Sequence, residues 1–123
     1  MVGSHLMDHL LQSGEDIEIH GLVRWRSPLD NIRHVFGNDE HASRVVLHYG
    51  DLREQNSIND FIETTQPDKL FHLAAQSFPR VSFDSPAETY ETNVTGTSNL
   101  LEAVRRHSTK RVRVCSRCPR AAA

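Results

Sequence analysis

Four short apolar runs, separated by breakers and helix-patterned segments, constrain this chain more than any other feature. The first covers residues 17–23, where alternation turns solidly apolar at Leu22 and Val23. The second is Val45-Val46-Leu47-His48-Tyr49, ended by Gly50-Asp51. The third is Lys69-Leu70-Phe71-His72-Leu73, running into Ala74 and Ala75, and the last is Arg111-Val112-Arg113-Val114-Cys115. Between the second and third, Ile58, Phe61 and Ile62 recur at i, i+3 and i+4, which predicts a helix over 55–65 stopped by Gln66-Pro67-Asp68. Between the third and fourth, Ser85-Pro86-Ala87-Glu88 predicts a capping box with proline at the first helical position. That helix continues through Val94, Leu101 and Val104 to about His107. Strands alternating with helices require parallel crossovers, so the expected fold class is α/β, a doubly wound parallel sheet.

A further helix precedes the first strand. Leu6, Met7, Leu10 and Leu11 fall at helical spacing, and Ser13-Gly14 is a C-terminal stop. Ser27-Pro28-Leu29-Asp30-Asn31 marks a loop, and the polar stretch 32–41 reads as one turn of helix at most. With 123 residues the chain is expected to form one domain at most. Residues 1–116 carry the domain pattern, and 117–123 form a tail of different character.

Composition removes several function classes. A formal net charge of −2 leaves no dominant basic face, so no nucleic acid partner is expected. Apolar runs such as Val45-Val46-Leu47 are far too short to span a bilayer, and no membrane partner is expected. Met1-Val2-Gly3-Ser4-His5 has neither the charged start nor the apolar stretch of a signal peptide, so a cytoplasmic location is the default.

Metal and redox chemistry are thinly supported. Cys115 and Cys118 stand as Cys-Ser-Arg-Cys, a spacing shared by half zinc sites and redox pairs. Zinc wants four ligands and there is no second cysteine pair, while Pro119 leaves little helix for a redox motif to open. His5 and His9 share a helix face, but nothing nearby completes a site, so no metal is expected. Asn93-Val94-Thr95 fits a glycosylation sequon that has no secretory route to use it.

Five segments, in order and in register, carry a family resemblance. They are Gly3-Ser4-His5-Leu6; His20-Gly21-Leu22-Val23-Arg24; His48-Tyr49-Gly50-Asp51-Leu52; Phe71-His72-Leu73-Ala74-Ala75-Gln76-Ser77, followed by Val81-Ser82-Phe83; and Asn93-Val94-Thr95-Gly96-Thr97. Together they resemble the extended short-chain dehydrogenase/reductases, in particular the GDP-mannose 4,6-dehydratases and the related GDP-4-keto-6-deoxymannose reductases. The resemblance implies a Rossmann-like sheet, a nucleotide-sugar substrate, an NADP (or NAD) cofactor and a homo-oligomeric parent. It also implies an incomplete domain. Strand one and most of the glycine-rich loop that meets the pyrophosphate would lie before Gly3, and Gly-Ser-His is also the residue of many expression tags. Strand one is central in a sheet of order 3-2-1-4-5, so the strands flanking it are expected to carry unpaired edges, with a marginal fold as the consequence.

Site residues follow from the same resemblance. Gly3 would let the first helix pack tightly on the sheet. Arg24 would face the adenosine ribose, where a guanidinium suits a 2′-phosphate and so favours NADP; as plain sequence it is a solvated strand-end arginine. Asp51 would accept from the adenine amino group and Leu52 would pack on the ring, although Asp51 also suits a simple turn or cap. Leu73, Ala74 and Ala75 would line the cofactor, or else form strand-end core. Gln76 and Ser77 would reach toward the nicotinamide or the sugar, or supply loop polarity alone. Asn93 takes an architectural role, and Glu88 replaces a tyrosine that often contacts the cofactor.

The chain departs from the family near its end. The family pairs a serine or threonine after strand five with Tyr-x-x-x-Lys, whose lysine lowers the tyrosine pKa. Ser116 sits near the hydroxyl position and is the one catalytic candidate. Tyr49 and Tyr90 are followed four residues on by Arg53 and Val94, so the Tyr-Lys pair is absent from this sequence. The resulting expectation is a fragment, inactive as given, of a nucleotide-sugar dehydratase. A sugar-nucleotide reductase or epimerase fragment is the near alternative, and a non-catalytic nucleotide-binding module the distant one.

Overall fold

A computed structural model describes residues 2–76 and 78–116. The described chain divides between Gly50 and Asp51 into two compact units.

In the first unit, helix α1 (Val2–Gln12) leads to strand β1 (Ile19–Val23), and strand β2 (Val45–Tyr49) follows. The two strands pair in parallel with Ile19 opposite Val45 and Val23 opposite Tyr49. Gly14 closes α1 with φ +72°, a left-handed conformation that glycine adopts without a Cβ penalty. The polar stretch before β2 is more helical than its composition predicts. A 3-10 turn (Asp30–Ile32) runs into α2 (Arg33–Phe36) and then α3 (Asp39–Ala42). Asn38 caps α3, its side chain accepting from the amides of Glu40 and His41. Ile32 and Val35 are the buried residues of this stretch, which explains why a mostly polar sequence stays folded there. Leu11, Val35 and Val45 form the core of this unit, with Met7, Ile19 and Leu47 packed around them.

Arg44 ties the connection from α1 to β1 in place. Its guanidinium donates to the carbonyls of Leu11 (3.3 Å), Glu15 (2.6 Å) and Ile17 (3.2 Å). Leu11 is in the last turn of α1, where carbonyls lack helical partners and the helix dipole favours a cation.

In the second unit, α4 (Gln55–Thr65) precedes β3 (Lys69–His72), and short helices α5 (Pro79–Asp84) and α6 (Pro86–Tyr90) follow. A single π-helical turn (Glu91–Thr95) joins α6 to α7 (Gly96–His107), and β4 (Arg113–Ser116) completes the unit. Strands β3 and β4 pair in parallel, Lys69 opposite Arg113 and His72 opposite Ser116. Ile58 and Ile62 of α4 and Ala103 of α7 are fully buried as the two helices pack on one another. Gln66 closes α4 with φ +41°, a position that disfavours residues with a side chain. Its amide donates to the carbonyls of Ile62, Glu63 and His107 and accepts from Thr109, so it caps two helices at once.

Three expectations change here, while the strand pairing, β1 with β2 and β3 with β4, is the one expected of the order 3-2-1-4-5 without its central strand. The last strand is 113–116 rather than 111–115, because Arg113 is the residue whose amide first finds a partner across the sheet, the Asp68 carbonyl. The predicted capping box does not form: Ser85 ends α5 and precedes α6 at φ −138°, ψ 67°, and its side chain makes no cap bond. The long helix predicted after it is broken in register by the π turn. Among the described residues no helix is long and apolar enough to cross a membrane.

Candidate functional site

In parallel α/β sheets, ligands gather at the carboxyl ends of the strands. In the second unit that end is the segment after β3. Leu73, Ala74 and Ala75 are all exposed, so the strand-end core alternative does not hold for them. The next residue is tightly held. The Gln76 amide donates to Asn93 Oδ1 at 2.7 Å, and Asn93 Nδ2 donates to the Gln76 carbonyl at 3.1 Å. Asn93 lies in the π turn, which shifts its helical register, and such turns recur at functional positions.

Behind Asn93 the network continues inward. The Thr97 hydroxyl donates to the Asn93 carbonyl at 2.7 Å, leaving its lone pair to accept from His72 Nε2 at 2.9 Å. His72 is buried in β3, and burial lowers its pKa, so the imidazole is held neutral. One apolar exposed segment is therefore braced from behind by a neutral, fully bonded polar chain.

Asp51 and Leu52 occupy the start of this unit. The Asp51 carboxylate is gripped by Arg53, which donates from its amide and Nε to Oδ1 (3.0 Å each) and from Nη2 to Oδ2 (2.7 Å). That hydrogen bonding, followed by Coulomb attraction, raises the Arg53 pKa. Asp51 thus makes the turn that its sequence context also suits. Leu52 is buried, and a Cβ placed on Gly96 would approach its Cβ to 2.9 Å. Its carbonyl accepts from Asn99 Nδ2 at 2.9 Å. Asp51, Arg53, Glu54, Glu91 and Thr95 line an open depression of about 590 Å3.

Ser116 closes β4 in register with His72 and is exposed. Cys115 is exposed, whereas Cys118 and Ser77 lie outside the described residues, as does the tail 117–123. Among the described residues no three histidine, cysteine or carboxylate groups converge as metal ligands.

In the first unit, Arg24 and Arg26 are exposed just beyond β1, with no ion-pair partner among the described residues. Trp25 between them meets Tyr49 at the end of β2, ring centroids 5.0 Å apart and planes at 63°. Gly3 lies in the first turn of α1, exposed. Deeper in this sheet, His20 Nδ1 and His48 Nε2 are 3.0 Å apart, and Glu18 Oε1 sits 3.3 Å from His20 Nε2. Burial first, and His20 second, lower the His48 pKa. Sequence reading missed Arg53, Thr97 and both ring pairs. Each histidine and aromatic carried a recognisable side chain, but the pairings depend on strand register.

Parallel strands with crossover helices make this an α/β protein with the Rossmann-like fold of the extended short-chain dehydrogenase/reductase class. The solved UDP-glucose 4-epimerase of Thermus thermophilus in complex with NAD is similar in fold, with TM-score 0.71 and 28% identity. The match covers 87% of this chain and 31% of that one. The UDP-Glc/GlcNAc 4-epimerase of Campylobacter jejuni superposes with TM-score 0.74 at 22% identity, covering 87% of this chain and 31% of that one, and shows the fold alone. The chain belongs to the GDP-mannose 4,6 dehydratase family, whose model matches residues 1–118. Curated relatives include GDP-mannose 4,6 dehydratase 1 of Arabidopsis thaliana, 38% identical over 110 residues that make up 86% of this chain and 30% of the relative. The GDP-mannose 4,6-dehydratase of Vibrio cholerae serotype O1 is 41% identical over 107 residues, 84% of this chain and 28% of its own length. The chain thus spans about 30% of the length of the curated relatives it matches.

Proposed function

We propose that this chain is the cofactor-binding front part of a nucleotide-sugar dehydratase that acts on GDP-mannose with NADP. The observation that carries the reading is the exposed run Leu73-Ala74-Ala75 at the carboxyl end of β3, followed by a Gln76 peptide fixed on both sides by Asn93. Small side chains on a rigid backbone suit a dinucleotide lying along the strand end, and buried strand ends need no such brace. Gln76 and Ser77 then extend toward the nicotinamide or the sugar. Asp51, at the start of the second unit, is the residue assigned to the adenine amino group. Leu52 is buried, so little of its side chain is open to pack on the ring.

For the first unit, taken separately, Arg24 supplies the preference for NADP. Its exposed guanidinium, without an ion-pair partner among the described residues, suits bidentate contact with a 2′-phosphate. In the whole protein the oxidised cofactor would accept a hydride from C4 of the sugar, water would be lost across C5–C6, and the hydride would return to C6. Ser116 is the candidate for the family's catalytic serine or threonine hydroxyl. The Tyr-x-x-x-Lys pair that such a proton transfer uses is not in these 123 residues, so this chain by itself is expected to bind without turnover. A nucleotide-sugar substrate, a homo-oligomeric parent and a cytoplasmic setting complete the proposal.

Calorimetry on the 123-residue chain tests it. NADP should bind more tightly than NAD, and Arg24→Ala should abolish the difference while leaving weaker binding of both. Absence of heat with either dinucleotide would overturn the reading.

A further inference from the structure

The first unit carries a titratable cluster that the proposed cofactor site does not use: the half-buried His20 and His48, with the exposed Glu18. Side chains alternate along a strand, so His20 and His48, which follow Ile19 and Leu47, stand on the face of the β1–β2 pair opposite the core of Leu11, Val35 and Val45. His20 is in register with Val46 and His48 with Leu22, which sets the two rings on one diagonal of the sheet. His20 Nδ1 and His48 Nε2 are 3.0 Å apart with ring centroids at 5.2 Å, so the two nitrogens meet head-on between the rings. Such a contact is a hydrogen bond with one proton in the bridge. Glu18 Oε1 stands 3.3 Å from the outer nitrogen of His20, Nε2. Helices α1 and α2 pack on the other face, where Asp8 and His34 pair with one another at 2.6 Å. Arg44, at the start of β2, is committed to the Leu11, Glu15 and Ile17 carbonyls, and α3 brings Asp39, Glu40 and His41 near β2. Of all these groups, His20 is the one whose charge lowers the His48 pKa.

The number of protons decides whether the bridge survives. Two neutral imidazoles carry two protons on four nitrogens, and one added proton makes three. In both states one proton can lie in the bridge with a bare nitrogen to accept it. A fourth proton sets N–H against N–H, and two like charges at this distance repel. Glu18 offsets one positive charge, not two. We propose that Glu18, His20 and His48 form an acid-sensitive latch on the β1–β2 pair, closed with up to one added proton and opened by the second. Burial, and after it the charge of His20, lower the His48 pKa from 6.5, as a latch that resists its second proton requires. Separated strands take both protons near the ordinary value, so the pairing is intact above about pH 6.5 and weakens as pH falls below it. The latch is independent of which nucleotide the protein binds.

Amide hydrogen exchange on the 123-residue chain reads the latch. The Ile19 amide, bonded to the Arg44 carbonyl at 2.8 Å, and the Gly50 amide, bonded to the Val23 carbonyl at 3.0 Å, close the strand pair at its two ends. After correction for intrinsic rates, their exchange should rise at least about fivefold between about pH 7.5 and about 5, within the limit of about tenfold per pH unit for one proton. His48→Gln keeps a hydrogen-bonding side chain without the second titrating ring, so the rise should vanish at both amides. The Arg113 amide, bonded to the Asp68 carbonyl in the second unit, should keep its native profile in that variant. Nitrogen-15 spectra of the imidazoles in the unaltered chain give a second readout should the variant not fold. There the pair should take up its protons in two steps more than about one pH unit apart. Flat exchange at Ile19 and Gly50 in the native chain, an undiminished rise in His48→Gln, or one shared protonation step would each overturn the latch. A change at Arg113 equal to that at Ile19 would overturn it in favour of one cooperative opening of the whole chain.

Discussion

The Asn93 carboxamide brackets the Gln76 peptide, accepting from its amide at 2.7 Å and donating to its carbonyl at 3.1 Å. One side chain in a π turn thereby sets the backbone just beyond the exposed end of β3. Asn93→Ala removes both bonds, and Asn93→Asp keeps the acceptor but turns a charge toward the Gln76 carbonyl. Each variant should raise hydrogen exchange at the Gln76 amide at least about fivefold, as expected from losing one or two bonds of about 1 kcal/mol each. Dinucleotide affinity should fall in parallel. Unchanged exchange at Gln76 would show that the segment is held by other means.

Gly96 and Leu52 make a second relationship whose sign can be forecast. In an open helix, alanine in place of glycine stabilises by about 1 kcal/mol. Here the added Cβ would lie 2.9 Å from the Leu52 Cβ, which is buried and cannot swing aside. Gly96→Ala is therefore expected to destabilise by about 1–3 kcal/mol. Leu52→Ala keeps the offending Cβ, so Gly96→Ala should cost as much in that background as in the native chain, whereas in a Leu52→Gly background Gly96→Ala should cost less. Urea midpoints in the three backgrounds check the order, and a stabilised Gly96→Ala would refute the packing.

Arg44 should matter more than its position in a polar stretch suggests. Arg44→Met retains much of the apolar stem and removes three hydrogen bonds to the Leu11, Glu15 and Ile17 carbonyls. A cost of about 2–3 kcal/mol is expected, since the acceptors lie partly away from water and bonds to charged groups exceed neutral ones. Arg44→Lys should recover only part, because one ammonium cannot reach three divergent carbonyls. Faster proteolysis in the loop 13–18 is the companion readout.

Acidification should weaken the fold through His72. Burial lowers its folded pKa below the ordinary 6.5, so the unfolded chain binds the proton more readily. The stabilisation is complete above about 6.5 and is lost as pH falls below that value, by at most about 1.4 kcal/mol per pH unit for one group. His48, lowered by burial and by His20, adds in the same direction. His72→Gln retains a donor for Thr97 and should flatten the stability profile between about pH 7.5 and about 5. A profile unchanged by that substitution would exclude His72 as its source.

Local periodicity and breakers made the elements legible from the sequence alone. Helix α4 falls on 55–65 because Ile58, Phe61 and Ile62 share a face and Gln66-Pro67 ends it. Strand β2 is bounded by Gly50, and Gly14 stops α1 by its left-handed φ. Such signals act within a helical turn, so neighbours in sequence are enough to read them. Family membership was also legible, since ordered motifs are themselves sequence.

Only the tertiary structure decided which side chains meet. Ser85 has the residue type and spacing of a capping box, yet the connection from α5 fixes its backbone where the hydroxyl cannot cap. Asn93 finds Gln76 across 17 residues, Asn99 finds Leu52 across 47, and Arg44 finds Leu11 across 33. Trp25 meets Tyr49, and His20 meets His48, because the register of β1 on β2 places them at neighbouring positions. The physical reason is common to all of them. A hydrogen bond or a ring contact forms within a few ångströms, and over such separations in sequence that proximity is created by packing of helices and pairing of strands, which no local pattern encodes.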